Sequence, residues 1–387
     1  VKALDAGREP GIASSPRAPT VYSVARTSRS PSGCVLPSGS VIVASVPGSN
    51  ISVALRAPSA SDTWSLVTAC SVAAFSATGI ALGDGALEVS NVDAGAALIS
   101  RLQTLSGDLE TEVEGWQVDR VRNELRTDRY FHGIYYPKAF QIDPRKYVHG
   151  LAAAARRAGA RIFEDTPVVS IDSSGIRKRI VTPLARLRAS HIVLAGNIHL
   201  GAPLRRLSET LLPVWRYAAV TEPLGARLAD AITFQGSVTD SDGIDHFRIV
   251  DGDRLMWASP ETTWAARPRR FGSAIQRRIA TIFPKLGKVG ISDVFGGAVG
   301  LTVHGMPQIG QLRKGLWVAS GFGRQGLNTS AMAGLLVARS ILWGDERWRL
   351  FSPFELVWAG GTTGRVAGHL VGMWGRGSSA GPGTPAR

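Results

Sequence analysis

The stretch LWVASGFGRQGLNTSAMAGLLVARSILWG, residues 316–344, decides the fold. Its first five residues, Leu316 to Ser320, are apolar or small and predict a buried strand, and Thr329 to Trp343 predicts a helix that ends at Gly344. Between them, Gly321 to Gly326 forms a G-x-G-x-x-G turn. Glycines allow a ligand to approach the backbone closely, and a helix N-terminus presents free N–H groups and the positive end of the helix dipole. The stretch therefore predicts a strand–turn–helix unit that binds a phosphate or another electron-rich group.

A complete NAD-binding domain is not predicted here. Such a domain places an acidic residue at the end of a second strand, about 20 positions after the glycine turn. Asp345 and Glu346 stand at that distance, but they follow the helix directly, and only residues 347–387 remain for the rest of a nucleotide-binding half. The alternative to a ligand site is that the three glycines only allow the helix to pack closely against the strand.

Residues 101–300 predict a mixture of helices and strands. Asp143 caps a helix that has a proline in its first turn and that Gly159 ends. Arg161 to Ile171 alternates between apolar and polar residues, which is typical of a strand, and His191 to Ala195 predicts a short buried strand. From residue 211 to residue 300, strand-like segments alternate with polar turns, the pattern of an antiparallel sheet.

The composition is that of a globular protein with few cysteines. Of its 387 residues, 44% are hydrophobic and 19% are charged. Cys34 and Cys70 provide neither a disulfide framework nor the spacing of metal ligands, so we expect a cytoplasmic location and no metal site. No basic segment followed by an apolar run opens the chain, so no secretory signal is predicted.

The net charge of +14 is located in one part of the chain. Residues 1–100 hold as many acidic as basic side chains, so the excess lies in residues 101–387, where arginine pairs such as Arg156-Arg157 and Arg277-Arg278 recur. A basic surface can bind nucleic acid or an acidic ligand. Because no helix-turn-helix, zinc finger or aromatic–basic platform accompanies the charge, a nucleic-acid partner is not expected.

Residues 10–83 differ from the rest of the chain. They carry few charges, are dominated by Ser, Ala, Pro, Gly and Val, and show no apolar period of useful length. Within them, the uncharged run from Trp64 to Gly83 is long enough to cross a bilayer. Serine and threonine dilute this run, and Asp62 and Asp84 flank it in place of Lys or Arg, so a membrane span is disfavoured. Irregular structure, or a segment that is not native coding sequence, is the other interpretation.

Several short motifs occur in the order typical of one enzyme family. They are Tyr136-Pro137, Asp143-Pro144-Arg145-Lys146-Tyr147, Thr166-Pro167-Val168, Ile192-Val193-Leu194-Ala195-Gly196-Asn197, Thr221-Glu222-Pro223-Leu224, Phe295-Gly296-Gly297 and Pro307-Gln308-Ile309-Gly310, followed by the glycine turn. Together they resemble the FAD-dependent oxidoreductases of the D-amino-acid oxidase type, which include glycine, sarcosine and γ-glutamylputrescine oxidases. The resemblance implies an α/β (α+β) fold, in which an incomplete Rossmann-like FAD-binding domain is interleaved with an antiparallel-sheet substrate domain.

The resemblance also implies domain boundaries. Residues 1–15, 151–204 and 301–345 would belong to the FAD-binding domain, and residues 101–150 and 205–300 to the substrate domain. Residues 16–100 have no counterpart in the resemblance and are expected to be irregular. The Gly/Ser/Pro-rich residues 375–387 are expected to be a disordered tail.

FAD is the cofactor that the resemblance implies. Asp5, in a segment similar to the family's second strand, would hold the adenosine ribose, and the backbone of Val168 would meet the adenine. The remaining cofactor-binding residues would lie at strand ends and in the glycine turn: Ala195, Gly196, Gly310, Gly321, Phe322, Gly323, Gln325, Gly326 and Leu327. His304 would line the flavin pocket.

The family's first glycine-rich loop, which binds the FAD pyrophosphate, does not precede Asp5. This departure predicts a frameshift or a misassigned start of the coding sequence. Charge-assisted hydrogen bonds contribute about 1.5–3 kcal/mol each, so losing two or three of them would weaken FAD binding by roughly two to six decades.

The resemblance implies oxidation of a small-molecule amine or amino acid by hydride transfer to the flavin, followed by hydrolysis of the imine. Candidate substrate contacts on the predicted sheet are Tyr217, His246, Arg248 and Arg254, and an arginine would pair with a substrate carboxylate. No catalytic acid or base is assigned, and the sequence predicts no oligomeric state. The alternatives are an inactive remnant that no longer holds FAD and a basic binding protein.

Overall fold

The computed structural model of the protein describes residues 40–44, 85–201, 204–351 and 356–378. Asp5, both cysteines and the run from Trp64 to Gly83 lie outside the described residues. The described helices are α1 Gly95–Gln103, α2 Val118–Leu125, α3 Pro144–Arg157, α4 Arg205–Ser208, α5 Ala226–Ala231, α6 Arg269–Ile282, α7 Gly326–Trp343 and α8 Gly361–Ser378. The described strands are β1 Ser40–Ala44, β2 Ala86–Val89, β3 Glu114–Trp116, β4 Gly133–Tyr136, β5 Ser170–Asp172, β6 Lys178–Val181, β7 Arg186–Ala189, β8 His191–Ala195, β9 Leu212–Thr221, β10 Ser237–Asp240, β11 His246–Val250, β12 Arg254–Ala258, β13 Ile291–Leu301, β14 Gln308–Arg313 and β15 Leu316–Ser320.

A four-stranded sheet with the order β1-β8-β15-β14 holds the glycine turn. Strands β1 and β15 both run parallel to β8, and β14 runs antiparallel to β15. The two faces of β8 and β15 belong to different cores, as expected of a strand that is apolar along its whole length. Ile192 and Val318 pack on one face, and Val193 and Trp317 pack on the other face under helix α7.

An eight-stranded sheet with the order β13-β9-β12-β11-β10-β2-β4-β3 forms the second layer. Its pairings are antiparallel except that between β10 and β2. One face buries Phe247 and Trp257 against Ile275 and Ile279 of helix α6. Because side chains alternate along a strand, the opposite face carries the residues between these apolar positions. A separate three-stranded antiparallel sheet, β5-β6-β7, leads into β8.

Local sequence signals predicted several of these elements correctly. The Asp143 carboxylate caps helix α3 by accepting hydrogen bonds from the N–H groups of Arg145 and Lys146, at 2.9 and 3.1 Å. Gly159, just past the helix, has a φ of +88°, the left-handed conformation expected there. Strands β8 and β15 have the predicted bounds, and the sheet predicted over residues 211–300 is antiparallel.

Four segments differ from their predictions. The expectation that residues 16–100 are irregular is wrong for the part that the structure describes, because β1 pairs with β8, and β2 pairs with β10 and β4. The strand predicted from Arg161 to Ile171 is wrong for most of its length, because a turn with Asp165 at a φ of +52° interrupts it and only its last two residues join β5. Helix α7 begins at Gly326 rather than Thr329, because the glycine turn tightens into a 3₁₀ turn that leads directly into the helix. In the expected tail, residues 375–378 belong to helix α8, since a helix once formed adds a hydrogen bond for each further residue; residues 379–387 lie outside the described part.

A buried ion pair fastens the turn between β10 and β11 to helix α6. The Asp245 side chain is 1% exposed and accepts hydrogen bonds from Nε and Nη2 of Arg278 at 2.9 and 2.6 Å. The Tyr130 hydroxyl donates to the same carboxylate at 3.3 Å. Burial, together with the Asp240 and Asp245 carboxylates, raises the pKa of Tyr130 well above its ordinary value.

We expect Asp245→Asn to lower the free energy of unfolding by about 2–4 kcal/mol, because it leaves the Arg278 guanidinium partly buried without its counter-charge. Urea unfolding followed by circular dichroism measures the change. Glu164→Gln is the matched control, since it breaks the exposed Arg156–Glu164 pair and should change the free energy by less than about 0.5 kcal/mol. Equal losses in the two variants would contradict the prediction.

Candidate functional site

The candidate site lies at the carboxyl ends of the parallel strands. The pairing of Leu316 with Ile192 and of Val318 with Leu194 puts the last residues of β15 and β8 at one edge of the sheet. The glycine turn follows β15 there, with Gly321 at a φ of +67°. In open α/β sheets, ligands bind outside the carboxyl ends of the strands. The edge that holds the glycine turn is therefore the expected position of a ligand site.

Polar atoms at this edge are buried without a hydrogen-bond partner. They are Asn197 Oδ1 and His199 Nε2 after β8, Ser320 Oγ at the end of β15, and Gln308 Oε1 at the start of β14, where Gln308 pairs with Ser320. Burial lowers the pKa of His199, so its ring is neutral at pH 7. Because buried polar groups in proteins normally have partners, a cluster of unsatisfied ones indicates a place where a polar ligand supplies them.

The start of helix α7 is open toward the same edge. Gln325, at the N-cap position, makes no side-chain capping bond. A Cβ placed on Gly326 would meet no atom within 4 Å. An uncapped helix start and open space together suit an electron-rich group lying against the backbone.

The other face of the eight-stranded sheet carries a cationic cluster. His246 and Arg248 alternate with the buried Phe247, and the register through Ala258 and Ala218 puts Arg216 on the same face. His246 Nδ1 lies 2.7 Å from Thr239 Oγ1. Burial, followed by the neighbouring Arg216 and Arg248, lowers the pKa of His246 to about 4. His246 is therefore neutral at pH 7.

Both arginines of this cluster have guanidinium N–H groups that remain available for a ligand. Arg216 donates from Nε to the Ser259 carbonyl at 3.0 Å, and Arg248 donates from Nη1 to the Ile142 carbonyl at 3.3 Å. Arg248 Nε is buried without a hydrogen-bond partner, and burial lowers the pKa of the guanidinium. A guanidinium with an unused buried donor suits a carboxylate, which accepts two hydrogen bonds from the planar group.

An ion pair joins the glycine turn to this sheet. Arg324 donates from Nε and Nη2 to the two carboxylate oxygens of Glu261, at 2.7 and 2.6 Å. Glu261 follows β12, and its charge also acts on Arg216. The glycine turn and the cationic cluster therefore belong to one region of the molecule.

The residues that the sequence predicted as substrate contacts do not all lie in the same surroundings. His246 and Arg248 lie together, whereas Arg254 donates to the Thr221 carbonyl and to Ser292 Oγ, both at 3.2 Å. Tyr217 is 2% exposed on the opposite face, and its hydroxyl exchanges hydrogen bonds with the Ala266 backbone. His304 lies in the turn between β13 and β14 and accepts a hydrogen bond from the Met306 N–H at 3.1 Å.

Most of the predicted cofactor residues lie at the candidate edge. Ala195 ends β8 with Gly196 next to it, and Gly321, Phe322, Gly323, Gln325, Gly326 and Leu327 form the turn and the start of α7. Val168 is instead 5% exposed within the core between the sheets, and a Cβ on Gly310 would meet the Trp348 ring at 2.9 Å. The sequence predicted no role for Arg216, Arg324, Glu261 or Ser320. The two-residue alternation of β9 could have revealed Arg216, but the Arg324–Glu261 contact joins residues too distant in sequence for any local signal.

The sequence model of the DAO family, described as FAD dependent oxidoreductase, matches residues 44–340. The chain belongs to this family. The resemblance seen in the sequence and the predicted fold class are thereby confirmed. The match begins within residues 16–100, to which the sequence assigned no counterpart, and β1 ends where the match begins.

Known proteins resemble the chain over part of their length. The gamma-glutamylputrescine oxidoreductase of Escherichia coli is 24% identical over 273 residues, which are 67% of this chain and 64% of the relative. The probable oxidoreductase OrdL of Haemophilus influenzae is 26% identical over 247 residues, 62% of this chain and 56% of the relative. The chain thus spans less than two thirds of the length of these relatives.

Solved structures agree with this fold. The glycine oxidase of Geobacillus kaustophilus has a TM-score of 0.64 and 23% sequence identity, with 78% of this chain and 84% of that chain covered. Among the residues that the structure describes, no helix is long and apolar enough to cross a membrane, and no group of His, Cys, Asp or Glu side chains is arranged to hold a metal ion.

We expect His246 to make the folded state less stable at acidic pH. The unfolded state binds a proton below about pH 6.5 and the folded state only below about pH 4, so stability falls as the pH decreases between these values. His246→Gln keeps a polar group beside Thr239 and removes the proton site. From about pH 7.5 to about pH 4.5, the wild type should lose about 2 kcal/mol more than the variant in urea unfolding. Parallel pH profiles for the two proteins would contradict the assignment.

Proposed function

We propose that this protein is an FAD-dependent oxidoreductase that oxidises a small amine or amino acid. The observation that carries the proposal is the strand edge where unsatisfied buried polar atoms, the glycine turn and the open start of α7 meet. Family membership supports it, because the matching family consists of FAD-dependent oxidoreductases. The names of the relatives, gamma-glutamylputrescine oxidoreductase and glycine oxidase, support an amine or amino-acid substrate.

The residues at this edge fit FAD. Asn197, His199 and Ser320 offer the unsatisfied polar atoms, and Gly321–Gly326 offers backbone that a planar ring can approach. When bound, FAD accepts a hydride from the substrate carbon beside nitrogen. The contacts of Asp5 and Val168 with the adenosine end of FAD stay predictions.

The chain's own residues would orient the substrate. Arg248, with Arg216 beside it, binds a substrate carboxylate through unused guanidinium donors. His246 stays neutral at pH 7 because its pKa is about 4, so it places no positive charge next to the substrate amine. An amine has to be uncharged before it gives up a hydride, and a neutral neighbour does not oppose the cationic product.

A second candidate function is an inactive relative that no longer holds FAD. It is favoured by the sequence that follows β1. Residues 45–50, SVPGSN, contain one glycine where a dinucleotide-binding strand is followed by G-x-G-x-x-G. A loop with one glycine offers the FAD pyrophosphate fewer backbone N–H groups, so the affinity for FAD is expected to be lower. The visible absorption of bound flavin in the purified protein separates the two functions.

The cysteine content further leads us to propose a cytoplasmic location, since two cysteines in 387 residues are typical of a reducing compartment. Fractionation of cells that express the tagged protein tests this location.

We expect Gly326→Leu to abolish FAD retention without destabilising the protein. Its Cβ meets no atom within 4 Å, so the leucine side chain projects into open space at the edge assigned to the flavin. Gly334→Leu is the matched control, because Gly334 lies in the same helix and also has open space around its Cβ. Each change should raise helix stability by up to about 1 kcal/mol.

Flavin fluorescence titration and gel filtration measure FAD retention in both variants. The Gly326 variant should lose FAD and the Gly334 variant should keep it. Retention of FAD by both would rule out the assigned flavin position. A wild type that takes up no FAD would instead favour the inactive relative.

We expect Arg248→Gln to raise KM for substrates that carry a carboxylate, such as glycine, sarcosine and dimethylglycine, by about tenfold or more, because a charge-assisted bond is worth about 1.5–3 kcal/mol. KM for putrescine, which lacks a carboxylate, should not rise. Arg254→Gln is the control, since Arg254 already donates to Thr221 and Ser292. An equal effect on all substrates would contradict a carboxylate contact.

A further inference from the structure

A cleft outside the candidate site collects positive charge. It has a volume of about 700 Å³ and lies between the end of helix α2 and the end of helix α6. Its described lining includes Arg122, Arg126, Arg129 and Lys285, and within that lining Asp128 is the one carboxylate. Four cationic side chains and one carboxylate leave a net charge of +3. Neither the fold nor the proposed oxidation needs this concentration of charge.

Two of the four cations have no partner. The side chains of Arg129 and Lys285 make no hydrogen bond or ion pair with any residue that the structure describes. Arg122 reaches Asp128 only at 3.9 Å, and that carboxylate is 98% exposed. Cations near helix C-termini can be explained by the helix dipole. That explanation suits Arg122, in the last turn of α2, but not two exposed head groups that make no hydrogen bond or ion pair with the described residues.

The walls of the cleft are held in place. Thr127 donates from Oγ1 to the Ile282 carbonyl at 2.5 Å, which ties the two walls together. Arg126 has a φ of +41° and donates from Nη1 to the Asp230 carbonyl at 3.2 Å. Leu125, which precedes Arg126, and Ile282, which lines the cleft, are buried at 0% and 1% exposure. These contacts hold the backbone of the cleft in place, so binding an anion orders only the side chains that line it.

The ligand chemistry follows from the lining. Arginine and lysine around a small cavity recognise phosphate oxygens. The volume is within the range of about 300–1,000 Å³ that small ligands occupy. None of the described residues that line the cleft carries an aromatic ring that could stack on a base. The cationic side chains would therefore contact phosphate groups, and their net charge of +3 suits an anion that carries several negative charges.

We propose that this cleft binds a compact anion with two or more linked phosphates. Free inorganic polyphosphate and the phosphate tail of a nucleotide share this chemistry. The site is separate from the strand edge assigned to FAD, so its occupation does not depend on whether FAD binds.

The test is isothermal titration calorimetry of the full chain at low ionic strength, with pyrophosphate, ADP and adenosine as probes. Pyrophosphate should bind saturably at one site per chain, and adenosine should not bind there. Equal affinities for pyrophosphate and ADP assign the contacts to phosphates of either source, whereas a tenfold preference for ADP assigns the site to a nucleotide. A wild type that binds neither pyrophosphate nor ADP overturns the proposal.

Matched double variants locate the site. Arg129→Gln/Lys285→Gln should weaken pyrophosphate binding at least about tenfold, because it removes the two free cations of the cleft. Arg177→Gln/Arg188→Gln removes the same charge from an exposed residue of the turn before β6 and an exposed residue of β7. It should change the affinity less than about threefold, as expected of distant screened charges. All four residues are exposed, so thermal unfolding should show the same midpoint for both variants. Equal weakening in both variants overturns the proposal, because net charge would then account for the binding.

Discussion

The parallel pairing of β15 with β8 is the contact on which the rest of the structure depends. Its register, Leu316 with Ile192 and Val318 with Leu194, brings together two strand ends that are more than a hundred residues apart in sequence. Both strands are apolar on both faces, so burial between two cores stabilises them. Their carboxyl ends can then carry polar groups that no protein atom satisfies. The strand edge becomes a ligand site because the cores behind it hold the strands in register.

Electrostatics connects this edge to the second sheet. Arg324 in the glycine turn and Glu261 after β12 form a pair with two hydrogen bonds, one to each carboxylate oxygen. Nearby, Arg216 and Arg248 surround His246 and help burial to keep its ring neutral. A site with cationic side chains and a neutral histidine can hold a carboxylate without protonating an amine beside it. These properties match the oxidation of an amine or amino acid, for which the chain has to orient the substrate and control its charge.

Family membership and the details of this chain contribute different information. The family match fixes the fold and the kind of cofactor for which that fold is built. Function depends on the site, and similar folds serve different substrates. In this chain the residues after β1, SVPGSN, depart from the glycine-rich pattern of a dinucleotide-binding loop. The basic cleft between α2 and α6 is likewise a feature of this chain's own side chains and lies apart from the strand edge.

Local signals alone determined helix α3, with its Asp143 cap and Gly159 stop, strands β8 and β15, and the glycine turn, because capping, left-handed glycines and continuous apolar runs act over a few residues. The tertiary structure decided what lies beside what. The alternation of residues 161–171 predicted a strand, but the turn at Asp165 interrupts most of it. Strand β1 pairs with β8, although the sequence assigned no element to the range in which β1 lies. Only sheet register could put Tyr217 on the face opposite His246 and Arg248 and bring Arg216 to the latter pair. Arg254 shares their face, but its guanidinium is held by Thr221 and Ser292. The physical reason is that a strand's alternation shows which residues share a face, whereas the partner of that face depends on contacts between residues far apart in the chain.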